Sequence, residues 1–193
     1  MIAYRDEKIK NAICYFAFEH FKRTGKYLSQ TILYKFLAFL DFMSLKDTGK
    51  PSLELDYKAL ERGPVPPEIY NNLKEFADTD CFQFFRSLTN AIVVVSKKEA
   101  NLDYFSKYEI DLMNKLLDKY SVSGVTQRVI CKKINDDSHK IKAWEIAWNN
   151  KPNSLINYND MFENLNNKSD DELSIQEENF LTYKGLKEIS SCK

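Results

Sequence analysis

The segment SQTILYKFLAFLDFMSLKD, residues 29–47, constrains this chain more than any other. Ile32, Leu33, Phe36, Leu37, Leu40 and Met43 recur at helical spacing and place apolar side chains on nearly every turn. A helix so apolar all round must be covered on several sides, so the remaining elements are expected to wrap it. Ser29 can accept a backbone N–H at its start. Asp47, Thr48, Gly49, Lys50 and Pro51 end it, because glycine tolerates a left-handed cap and proline cannot continue a helix.

The neighbouring segments read as amphipathic covers. Over 6–23, Ile9, Ile13, Phe16, Ala17 and Phe21 fall at three- and four-residue steps, with Lys8, Lys10, Glu19 and Lys22 on other faces. The stretch 52–70 holds three of the five prolines and Gly63, followed by Glu68 in the first turn of a new helix, so it reads as a rigid lead-in. CFQFFRS and AIVVVSKK, separated by Leu88, Thr89 and Asn90, predict a β-hairpin, the one clear strand signal. A helical period returns over 107–120 with Ile110, Leu112, Met113, Leu116 and Leu117.

Two shorter helices are expected at 125–134 and 140–149. The second would be capped by one of Asn135, Asp136, Asp137 or Ser138 and would present Ile141, Trp144 and Trp148 along one side. Beyond Pro152 the pattern predicts a short helix over 158–165, a polar linker over 166–171 and a terminal helix over 174–189. The expected fold is mainly α (α+β), a compact helical domain with one small antiparallel β-hairpin. At 193 residues, the chain divides into one domain over 1–150 and a C-terminal helical extension or tail over 151–193.

The charge balance, 28 Lys and Arg against 28 Asp and Glu, gives no global positive field, so nucleic acid is not the expected partner. Arg128, Lys132, Lys133 and Lys140 make a small basic cluster that either meets DNA or is a solvated helix face, interrupted by Asp136 and Asp137. Cys14, Cys81, Cys131 and Cys192 are widely spaced and read as free thiols of a reducing cytoplasm. No apolar run approaches the ~20 residues of a membrane span, and the N-terminal residues lack the apolar region of a signal peptide. A cytoplasmic protein without membrane contact is expected. Neither a glycine-rich phosphate loop nor HExxH occurs. His139 has only His20 as a second histidine, so an enzyme, a cofactor or a metal site is not expected.

The order of buried helix, TGKP turn, aromatic step and GPVP resembles the signature region of Panacea-domain (SocA-like) antitoxins of bacterial toxin–antitoxin pairs. Leu33, Tyr34, Leu37, Phe39, Thr48, Gly49, Pro51, Tyr57, Ala59, Gly63, Pro64, Val65, Pro66 and Tyr70 carry it, followed by Glu109, Ser138, His139, Ala143 and Trp144. It covers roughly residues 5–150. The chain departs from the family pattern at 54–56 and at Leu60, Glu61 and Arg62, a loop that could tune partner choice. The resemblance implies a mostly helical fold with a small hairpin, and neutralisation of a cognate toxin by direct contact. An adaptor that delivers the toxin to an ATP-dependent, Clp-type protease is the alternative, and a DNA-binding regulator a further one. Tyr57, Arg62, Gly63, Pro64, Val65, Pro66, Tyr70 and Trp148 are the candidate toxin-binding residues. The GPVPP segment could equally fix chain direction, and Tyr57 and Tyr70 could equally be core residues with satisfied hydroxyls.

Overall fold

The computed structural model describes residues 4–71, 79–88 and 90–191. Helix α1 (Arg5–Thr24) leads through strand β1 (Leu28–Ser29) into α2 (Gln30–Thr48). Every residue of α2 from Ile32 to Phe42 is buried, so the central, all-round-covered helix is present as expected. Ser29 caps it by accepting the Ile32 N–H, and the chain leaves it at Gly49 in a left-handed conformation.

A short ribbon follows, β2 (Lys58–Leu60) paired antiparallel with β3 (Gly63–Val65), and then α3 (Pro67–Asn71). The expected hairpin is β4 (Phe82–Arg86) with β5 (Ile92–Ser96). Thr89, in its turn, lies outside the described residues. β1 joins β5 on the other side, giving a three-stranded sheet in the order β1-β5-β4. The sheet is therefore larger than one hairpin. The ribbon is a second addition, and its outer partner is unexpected: Ala59 N–H donates to the Ser154 carbonyl, Asn153 N–H to that of Ala59, and Ile156 N–H to that of Tyr57. Residues 153–156 thus run beside β2 within the same body as the preceding chain.

Helix α4 (Lys107–Tyr120) opens with a reciprocal box between Ser106 and Glu109. α5 (Gln127–Ser138) is longer than predicted. Asn135, Asp136, Asp137 and Ser138 form its last turn instead of capping α6 (Lys142–Asn150), which starts after Ile141 without a side-chain cap. Their side chains are committed elsewhere: Asp137 accepts the Tyr120 hydroxyl and pairs with Lys119 and Lys140, while Ser138 donates back to the Asn135 carbonyl.

The predicted helix over 158–165 is replaced by two single 3₁₀ turns, Tyr158–Met161 and Leu165–Asn167, and a third, Asp170–Glu172, interrupts the linker. α7 (Ile175–Ser191) then lies against α2. Phe180 of α7 is buried with Leu45 and Leu165 in a small cluster separate from the main core. Cys14, Cys81 and Cys131 are free thiols, and Cys192 falls outside the described residues. Among the described residues no helix is long and apolar enough to cross a membrane.

Candidate functional site

The ribbon is built from the interior outward. Lys35 of α2 is fully buried, and its ammonium donates to the Pro64 carbonyl at 2.9 Å. Burial lowers the Lys35 pKa to about 7. Gly63 has φ +93, and a Cβ there would stand 2.2 Å from the Ser138 hydroxyl oxygen and 3.0 Å from the Lys35 side chain. Only glycine lets the ribbon lie this close to α5. From the other side the Trp144 indole N–H donates to the Leu60 carbonyl at 3.2 Å. His139 stacks on Trp144 at 4.2 Å, and Trp144 stacks in turn on Trp148 at 5.6 Å, so His139 packs against an aromatic run.

The segment before the ribbon hangs on Asp41. This completely buried carboxylate accepts the backbone N–H groups of Leu53 and Leu55 and the hydroxyl of Tyr57 (2.8 Å), while the Tyr158 hydroxyl, 3.4 Å away, donates to the Leu55 carbonyl at 2.6 Å. Burial holds Asp41 up at about 6 even though the backbone N–H groups and the Tyr57 hydroxyl act to lower it.

These contacts sort the candidate residues. Tyr57 is 1 % exposed and belongs to the core, not to a surface. Gly63, Pro64 and Pro66 are buried as well and fix the ribbon's path. Arg62 is exposed at the turn, Tyr70 is 53 % exposed and edge-on to Tyr34, and Val65 and Trp148 are half-buried. Of the motif residues, Ala59 is buried in β2 and Thr48 bonds back to the Ser44 carbonyl. Gly49, with φ +80, is the seat of α7: a Cβ would meet the Gln176 carbonyl at 2.3 Å. Asn179 and Gln176 of α7 donate to the Thr48 and Asp47 carbonyls.

Sequence reading missed an exposed aromatic cluster. Phe21, at the end of α1, stacks on Tyr27 at 5.3 Å, and Tyr27 meets Phe85 of β4 edge-on at 5.5 Å. Phe21 and Tyr27 remain 47 % and 45 % exposed. Helical spacing assigned Phe21 to the buried stripe of α1, and nothing in the local sequence pairs it with Tyr27.

The architecture defines a mainly helical α+β domain. Residues 33–145 match the family described as antitoxin SocA-like, Panacea domain, and the chain belongs to that family. No curated protein and no solved structure matches the chain.

Proposed function

We propose that this protein is an antitoxin that holds a cognate toxin inactive in a stoichiometric complex by covering its working surface. The observation that carries the reading is membership of the antitoxin family over residues 33–145. The reading assigns the chain no catalytic step and no cofactor, and it works in the cytoplasm. Its surface contribution comes from groups that remain accessible, Arg62 and Val65 on a ribbon fixed by Lys35, Gly63 and Trp144, Tyr70 on α3 and Trp148 on α6. A preordered ribbon loses little conformational entropy on association. A neutralising interface of standard size would cover about 1,600 Å².

Co-expression with the product of an adjacent reading frame tests this. Growth rescue together with a stable complex on size exclusion is the expected result; toxicity that the protein neither relieves nor binds would sink the reading.

One observation favours delivery to a protease as a second reading: α7 turns exposed Ile175, Leu186 and Ile189 away from the face that seats Phe180. If protection depends on an ATP-dependent protease and is lost when these three residues become serine, delivery is the mechanism. Protection retained in protease-deficient cells leaves occlusion.

A further inference from the structure

A single cavity of about 400 Å³, large enough for a small organic molecule, lies between α7 and the body of the domain. Lys8, Glu54 and Glu109 line it from the body, Tyr183 and Leu186 from α7, and the exposed Lys50 lines it as well. Two of these charges are already engaged with each other. The Lys8 ammonium pairs with the Glu109 carboxylate at 2.6 Å, and that carboxylate also accepts from Ser52 and Ser106.

Glu54 is different. It is 6 % exposed, yet its carboxylate makes no ion pair among the described residues. Arg5 donates to the Glu54 main-chain carbonyl, but its guanidinium is held by the Glu68 carboxylate at 2.7 and 3.1 Å. The Tyr183 hydroxyl is buried and finds no acceptor within hydrogen-bond geometry; burial first, and then the neighbouring Glu54 charge, raise its pKa. Glu54 also has φ +54, held between the Leu53 and Leu55 N–H bonds to Asp41. Those bonds account for the backbone conformation but not for the residue that carries it, since glycine would take it without strain. A strained backbone that sets a buried, uncompensated carboxylate beside a cavity marks a place where the charge is used.

We propose that this cavity binds a free amino acid, whose ammonium pairs with Glu54 and whose carboxylate accepts the Tyr183 hydroxyl and meets Lys50. A zwitterion matches the lining, in which one buried anion and one exposed cation remain after Lys8 and Glu109 cancel. A simple cation would leave the Tyr183 donor and Lys50 unanswered, and a simple anion would face Glu54. The ligand's side chain lies toward Leu186. Because Tyr183 is one wall, filling the cavity ties α7 to the body of the domain and adds to the small cluster around Phe180. The site stands independently of the antitoxin reading.

The test is amide hydrogen exchange of the full chain with an equimolar mixture of the standard L-amino acids at millimolar concentration, and with the same mixture N-acetylated. The free mixture should slow exchange of the α7 amides about tenfold when its bound member stands at about ten times its Kd. The acetylated mixture, which lacks the cation, should have no effect. Glu54→Gly should abolish the response while the melting temperature holds or rises, because glycine adopts φ +54 without strain. Tyr183→Phe should weaken the response about tenfold. No slowing with the free mixture, equal slowing with the acetylated one, or a response retained in Glu54→Gly overturns the proposal. A lowered melting temperature in Glu54→Gly overturns it too, by making the carboxylate a structural counter-charge of the fold.

Discussion

Residues 51–60 and helix α7 both lie against α2, but different forces hold them there. The first segment is bound by Asp41, whose carboxylate gathers two backbone N–H groups and the Tyr57 hydroxyl in a fully buried site. α7 is bound by one buried phenylalanine in a cluster with Leu45 and Leu165, by two amide bonds to the last carbonyls of α2, and by the absence of a Cβ on Gly49. Most of its remaining side chains are exposed. A buried polar hub fails as a unit, because losing it strands several donors at once, whereas a helix seated on a satellite cluster can open by itself.

The largest expected effect breaks the hub. Asp41→Ala should destabilise the fold by about 3–5 kcal/mol, read by urea unfolding, since three donors lose their acceptor inside the core; a loss below about 1 kcal/mol would mean that water replaces the carboxylate and that the contrast with α7 is unfounded. Gly63→Ala should cost about 2–3 kcal/mol, combining a disfavoured φ with a Cβ driven into Ser138. A third measurement addresses α7 directly. Gly49→Ala and Phe180→Ala should each lower the protection of α7 amides against hydrogen exchange by about 2 kcal/mol, and their effects should be less than additive because both report the same seat. Strict additivity would show that Gly49 serves only the helix end.

The last measurement reads a pH slope at the ribbon, small per unit of pH. The Lys35 pKa lies at about 7 in the fold and near its ordinary value when unfolded, so the unfolded chain binds the extra proton between those limits. Stability should rise with pH from about 7 toward 10, by at most about 1.4 kcal/mol per unit. Lys35→Met should remove that part of the slope, measured as the difference between the two unfolding curves.

Much of the helical frame was legible because periodicity is a local property. The burial of α2 and the bounds of α4 follow directly from apolar spacing, and Ser29 acts as the cap its residue type suggested. The ribbon was not legible. Lys58–Leu60 and Gly63–Val65 are three residues each, one containing proline, and their pairing with 153–156 is a contact across nearly a hundred residues. The turn at 135–138 was misassigned because capping residues look alike at either end of a helix; Tyr120, an aromatic from another helix, decides that Asp137 closes α5. For the candidate surface, residue type identified Arg62 and Tyr70 as accessible but could not show that Tyr57 turns inward to Asp41. The Phe21 and Tyr27 stack depends on how α1 meets the sheet, which local spacing does not encode.

Asp41 also sets an order of events. Its carboxylate is presented by α2 and binds residues 53–57, and Tyr158, more than a hundred positions later, donates to the Leu55 carbonyl of that bound segment. The late partner can reach its acceptor only after α2 has formed and residues 53–57 have closed over it. As the chain emerges during synthesis, the three donors to Asp41 can engage long before Tyr158 exists, so the nascent protein passes through a stage in which the hub is filled but the Leu55 carbonyl still lacks its Tyr158 donor. Completion then waits for the last fifth of the chain to dock, which makes the closing step of folding, not its nucleation, the one most sensitive to changes at Tyr158.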